Sequence, residues 1–202
     1  GPDPSVNSKL RDLIAKAKAN NVPNDNIQRT IKKFTDNSDI TYEEITYEGY
    51  GPSGVAIIVE TSTDNRNRTA GNVRAWFNKY GGNMGQSGSV GFLFEEKGVI
   101  TIIDEDEEID EDKIMEDALE CGAEDIKCDE GEYTIYTAVS DLDAVRDAVI
   151  SLGYKIDTAD LAKVPTTYVE LTNQDDIDNM EKMLDKFNED DDVTAVFTNW
   201  DN

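Results

Sequence analysis

Arg66 and Arg68 stand two residues apart where an apolar strand, 55–59, gives way to a helix start, Thr-Asp-Asn-Arg-Asn-Arg-Thr at 63–69, shortly after a glycine-rich turn. A helix start presents unpaired backbone N–H groups and partial positive charge, so two guanidinium groups there offer the chemistry of phosphate binding. The same pattern suits a strand-turn-helix whose arginines are only solvated, and the residues alone leave both readings open. Arg74 and Lys79 extend the cationic set along this helix. Tyr50, on the neighbouring turn, offers a ring on which a base could stack or which packs against its own domain.

Gly82, Gly85 and Gly88 recur every three residues around Asn83, Ser87 and Ser89. No Gly-Lys-Ser/Thr follows and the helix precedes the glycines, which argues against a P-loop or a dinucleotide fingerprint. A flexible surface loop and a backbone that approaches a polyanion through Asn83 and its neighbours both remain open. Other chemistries find less support. The chain has no histidine, and neither Cys121 nor Cys128 has a cationic setting, so no nucleophile-base pair can be assembled. Two thiols also fall short of a zinc site or a disulfide framework. The acidic run from Asp104 to Asp110 would place Ile109 at the glycine position of a calcium loop and Met115 at its bidentate position, so it reads as a solvated turn before a helix. No cofactor, metal or small-molecule substrate is expected, and the protein is not expected to be an enzyme.

The elements that must position these residues follow from periodicity. Leu10, Leu13, Ile14 and Ala17 make one helical stripe, and Ile27, Ile31 and Phe34 a second after Pro23. Strands are predicted over 42–47 and 55–61, a helix over 64–80 with Ala70, Val73, Phe77 and Tyr80 inward, and a strand over 89–94. Residues 99–164 read β-α-β-β-α-β, the ferredoxin-like order. Helices are predicted there over 110–121 and 141–152, and a strand from Tyr154 onward. After Pro165 a β-α-β tail cannot close a core alone but would complete the earlier segment. The class is α/β in the α+β sense. A helical domain is predicted over 1–39, a discontinuous α/β domain over 40–98 and 165–202, and an acidic ferredoxin-like domain over 99–164 inserted in it. Trp76 and Trp200 read as core. Gly1-Pro2 reads as the scar of a cleaved tag, so the chain is expected to begin inside the natural protein.

Charge decides which partners are possible. The chain of 202 residues carries a formal charge of -25, which repels nucleic acid unless a local basic face overcomes it. Residues 1–36 hold seven Lys+Arg against four Asp+Glu, whereas residues 99–164 hold five against twenty-one. Positive charge is therefore concentrated early, in Lys9, Lys16, Lys18, Arg29, Lys32 and Lys33. No apolar run approaches the roughly 18 residues of a membrane helix, so no membrane partner is expected. The thiol usage suits a reducing, cytoplasmic setting, and a monomer is favoured.

Tyr47-Glu48-Gly49-Tyr50-Gly51-Pro52-Ser53-Gly54-Val55, the 63–69 phrase, Gly-Gly-Asn-Met-Gly-Gln-Ser-Gly-Ser-Val at 81–90 and Ala-Lys-Ala-Lys-Ala-Asn-Asn-Val-Pro-Asn-Asp-Asn-Ile at 15–27 closely resemble the YebC family. That family includes the mitochondrial translational activator of cytochrome c oxidase subunit one. The resemblance covers essentially the whole chain in order and is loose in the acidic insert. It implies a helical first domain and two ferredoxin-like units. It also implies a gene-expression role, as a DNA-binding transcriptional regulator or on ribosomes stalled at proline-rich stretches. The family's Gly-His-Ser-Lys-Trp opening is not found here, which fits the tag scar. The leading expectation is a ribosome-associated translation factor that contacts rRNA or tRNA. A DNA-binding regulator is the first alternative, and an acidic protein-interaction module the second.

Overall fold

The computed structural model describes residues 3–4, 7–19, 23–36, 41–104, 109–129 and 131–201. Gly1-Pro2 and the stretch 105–108 of the acidic run lie outside the described residues. The chain forms two compact units, residues 1–43 with 63–65, and residues 44–62 with 66–202.

In the first unit α1 (Ser8–Ala19) opens where the Asn7 side-chain oxygen accepts the Leu10 N–H at 3.0 Å, a capping role that asparagine fills well. α2 (Asn24–Asp36) follows Pro23, whose carbonyl accepts from Asn26 and Ile27 at 2.9 and 3.2 Å. Ile27 is buried and Ile31 half-buried, as their i, i+4 spacing requires, while the Phe34 side chain lies outside the described residues. Leu13 departs from its expected stripe and is 57% exposed. Leu10, Ile14 and Ala17 form the inward row, and a residue one step from Ile14 points about 100° away from it.

In the second unit β1 (Glu43–Tyr50) and β2 (Ala56–Thr63) flank a 3-10 turn at Pro52–Gly54, and α3 (Arg66–Lys79) leads into the short β3 (Asn83–Met84). Then come β4 (Phe94–Ile103), α4 (Glu111–Glu120), β5 (Asp125–Asp129), β6 (Glu132–Thr137), α5 (Leu142–Ser151) and β7 (Thr158–Pro165). β8 (Val169–Glu170), α6 (Gln174–Asn188), β9 (Val193–Thr198) and β10 (Trp200–Asp201) complete it. One sheet has the order β3-β1-β2-β9, a second the order β5-β6-β4-β7, and β10 pairs with β8 in parallel. The class is α+β, as the residue pattern predicts.

The antiparallel sheet β5-β6-β4-β7 is the arrangement of a β-α-β-β-α-β ferredoxin-like chain. The other sheet differs, because its sequence-adjacent strands β1 and β2 occupy the centre. α3 and α6 cover one face of it, burying Val55, Ile57, Val59, Val73, Phe77, Met180, Met183 and Phe187. Trp76 and Trp200 pack against that core half-buried. On the opposite face Ala56, Ile58 and Val90 are buried under Leu93, Phe94 and Phe197. Asn199 ties the tail in, its side-chain oxygen accepting the Ala56 N–H at 2.7 Å and its carbonyl accepting the Val169 N–H at 2.8 Å.

The start of β4 corrects one expectation. No strand forms over 89–93, where a loop and a 3-10 turn at Gly91–Leu93 stand instead, and only Phe94 of the expected strand is one, as the first residue of β4. β4 then runs unbroken through the expected joint at 98/99. Gly98 there is a packing residue rather than a break, since a Cβ would collide with the Thr137 hydroxyl and meet Leu142 Cβ at 2.8 Å, where α5 begins over the sheet. The strand expected from Tyr154 starts only at Thr158. Tyr154 instead reaches α4, donating its hydroxyl to Asp117 at 2.7 Å.

Candidate nucleic-acid interface

α3 carries no acidic residue in its first turn, so nothing on the helix itself offsets the positive end of its dipole. Arg66 and Arg74 are exposed and form no ion pair among the described residues. Eight positions separate them, about 12 Å along the axis. Lys79, in the last turn, lies 5.2 Å above the ring of its neighbour Tyr80.

Arg68 departs from the expected role. Its Nη2 donates to both carboxylate oxygens of Asp192 at 2.8 Å and its Nε to one of them at 3.3 Å. The Thr69 hydroxyl donates to the same carboxylate at 2.7 Å, and Asn72 to Asp190 at 3.2 Å. The guanidinium fork that was to meet an external phosphate thus meets an internal carboxylate carried by the loop between α6 and β9. Asp192 was not singled out from sequence, and the only available signal was the run of four acids at 189–192.

The glycine-rich loop has also found its anion internally. Glu48, buried on β1, accepts the Gly88 N–H at 2.7 Å, the Val90 N–H at 2.8 Å and the Gly91 N–H at 2.7 Å. These donors, one route by which the loop was expected to approach a polyanion, are therefore occupied by a side chain. The Tyr50 hydroxyl donates to the Ser89 carbonyl at 3.1 Å, so this tyrosine holds the loop while keeping part of its ring in solvent. Asn83 is exposed and pairs with Tyr50 in the β1–β3 register. Two glycines let these strands meet: a Cβ on Gly49 would lie 2.6 Å from the Asn83 carbonyl, and one on Gly82 would lie 2.5 Å from the Tyr50 carbonyl.

Burial pushes the Glu48 carboxyl upward, but the three backbone N–H groups and the charge of Lys163 outweigh it and hold the group below the ordinary carboxylate range. Its stabilising contribution is therefore complete above the unfolded value of about 4.3 and is lost as pH falls through the lower folded value. Urea titrations are expected to show stability steady from neutral pH down to about pH 5 for this contact, and then a drop absent from Glu48→Ala. An equal drop in both proteins would show that other carboxylates carry the acid sensitivity.

In the first unit Lys18, Arg29 and Lys32 are exposed, while the side chains of Lys9, Lys16 and Lys33 lie outside the described residues. Elsewhere the titratable groups are structural. Burial first, and then the bond to Asp117, push Tyr154 up to about 12. Burial likewise raises the thiols of Cys121 and Cys128, which opposes thiolate formation. Among the described residues no group of His, Cys, Asp or Glu is placed to hold a metal ion. No helix among them is long and apolar enough to cross a membrane.

Fold and site together define an acidic α+β protein with a ferredoxin-like sheet and with exposed cations on α1, α2 and α3. The chain belongs to the TACO1/YebC family: the family's second and third domains match residues 42–200 and its N-terminal domain matches residues 1–37. It is 50% identical over 203 residues to the "Probable transcriptional regulatory protein" of Finegoldia magna, covering 100% of this chain and 83% of that one. The "Probable transcriptional regulatory protein YrbC" of Bacillus subtilis is 48% identical over 201 residues, covering 99% and 83%. The crystal structure of a conserved hypothetical protein from Aquifex aeolicus superimposes with a TM-score of 0.86 at 40% identity, covering 100% of this chain and 82% of that one.

Proposed function

We propose that this chain is a non-enzymatic, cytoplasmic gene-expression factor that acts on the ribosome, relieving stalls such as those at proline-rich stretches through contacts with rRNA or tRNA phosphate. The observation that carries the proposal is the placement of cations in a protein of net charge -25: seven Lys+Arg against four Asp+Glu in residues 1–36, and Arg66 and Arg74 exposed on α3. The discontinuous domain 40–98 with 165–202 then presents α3, and the inserted 99–164 domain, at a net -16, is too acidic to serve as the phosphate contact. RNA recognised by shape and unpaired segments tolerates a patchy cationic surface, whereas duplex readout needs a helix dedicated to the major groove.

Arg66→Glu with Arg74→Glu is expected to lower co-sedimentation with ribosomes about tenfold near physiological salt and to flatten the salt dependence by roughly two phosphate contacts. Unchanged co-sedimentation would defeat the contact. A second reading, a DNA-binding transcriptional regulator, is favoured by the names that the relatives carry. It requires that the protein prefer a promoter duplex over scrambled DNA at physiological salt, and equal binding to both would remove it.

A further inference from the structure

Phe92 is 72% exposed, more than any other large apolar side chain described. Both of its flanks are anchored. Before it, Val90 is fully buried and the Val90 and Gly91 N–H groups are held by Glu48. After it, the Leu93 carbonyl accepts the Thr166 N–H at 2.8 Å and the Thr166 hydroxyl at 3.1 Å. A ring left in water on a fixed backbone has already lost the conformational freedom that binding would otherwise remove.

The charge around it is equally particular. Residues 80–94 and 49–59 are the two longest stretches of the chain without Lys, Arg, Asp or Glu. They converge in space, since Asn83 pairs with Tyr50, the Gly85 N–H donates to the Glu48 carbonyl at 2.8 Å, and the Tyr50 hydroxyl donates to Ser89. These two stretches bring no exposed charge of their own to a molecule of net charge -25, and the Glu48 carboxylate between them is buried against the loop's N–H groups. A polynucleotide is repelled by the surrounding carboxylates, but its bases are neutral, and an uncharged surface with a free ring is where a base can approach.

We infer that Phe92 is a stacking residue for an unpaired nucleobase of RNA, with the half-exposed ring of Tyr50, which ends β1 and whose hydroxyl is bonded to Ser89 of the pinned loop, as its companion. The inference rests on the proposed ribosomal role and adds to it a contact with base rather than phosphate. A protein pocket is the weaker occupant: one ring amid glycines and small polar residues presents far less area than the roughly 1,200 Å² of a stable protein interface, and it matches the face of one base.

The test uses the full chain and a fluorescein-labelled single-stranded RNA dodecamer, beside the same RNA as a duplex. Phe92→Ala is expected to weaken single-strand binding about tenfold while leaving duplex binding and the salt slope unchanged, and Phe92→Trp to restore it. Thermal melting serves as the folding control, because so exposed a side chain contributes little to the core. Equal single-strand binding by Phe92→Ala and the parent protein would overturn the inference. So would loss of ribosome association with intact single-strand binding, which would assign the ring to a protein pocket. If Arg66→Glu with Arg74→Glu abolishes binding and Phe92→Ala does not, the ribosomal reading stands and only the stacking contact falls. A parent protein that binds no RNA overturns both.

Discussion

Glu48→Ala is expected to cost about 4 kcal/mol of folding stability and to release the loop 85–91 from its fixed course. Hydrogen bonds to an ionised group contribute about 1.5 to 3 kcal/mol each, and a buried donor left without an acceptor adds its own desolvation cost. Three such bonds converge here, and their sum is reduced by the cost of keeping the carboxylate buried. Glu48→Gln discriminates the mechanism. One carboxylate oxygen serves Gly88 and the other serves Val90 and Gly91, so an amide must turn its NH₂ toward backbone donors on one side and is expected to recover only about half the loss. Urea denaturation reads the energy and hydrogen exchange reads the site. If the amides of Gly88, Val90 and Gly91 stay protected in Glu48→Ala, the carboxylate is not what organises the loop. The same release would unpin Phe92 and Tyr50, so weakened single-strand RNA binding is expected to accompany it.

What the residues made legible, and what they did not, follows from the range of the interactions. The inward face of α3 shows in the spacing of Val73, Phe77 and Tyr80, because helical periodicity is local and all three are buried. The ferredoxin-like order of the second sheet shows for the same reason, through alternation of element types along the chain. The role of Gly98 was not legible, because only the crossing of α5 over β4 reveals it as a position where a side chain cannot fit. Glu48 sits inside a phrase of glycines and tyrosines that drew attention to the turn, yet its partners lie forty and more positions on. The exposure of Arg66 and Arg74 and the capture of Arg68 could not be separated from sequence, since all three stand on one helix. What divides them is a loop more than a hundred residues away.

That capture gives Asp192→Ala a large expected effect, a loss of about 3 kcal/mol. The Asp192 carboxylate is nearly enclosed and accepts from the fork of Arg68 and from the buried hydroxyl of Thr69. The Arg68 side chain is 47% exposed, so solvent screens part of that attraction and the charge pair is credited with only about 1 kcal/mol. The larger share comes from the buried Thr69 hydroxyl losing its acceptor. Arg68→Ala should therefore cost less than Asp192→Ala, about 1 to 2 kcal/mol, and the double variant should show a coupling of about 1 kcal/mol in a thermodynamic cycle. A coupling near zero would mean that the pair adds nothing beyond the Thr69 bond. The functional consequence separates stabiliser from contact on a single helix. At a temperature where every variant is folded, Arg68→Ala should sediment with ribosomes nearly as the parent does, while the Arg66 and Arg74 charge reversal should not. If Arg68→Ala instead loses binding as severely as that reversal, the ion pair opens in the complex and Arg68 joins the surface that meets phosphate.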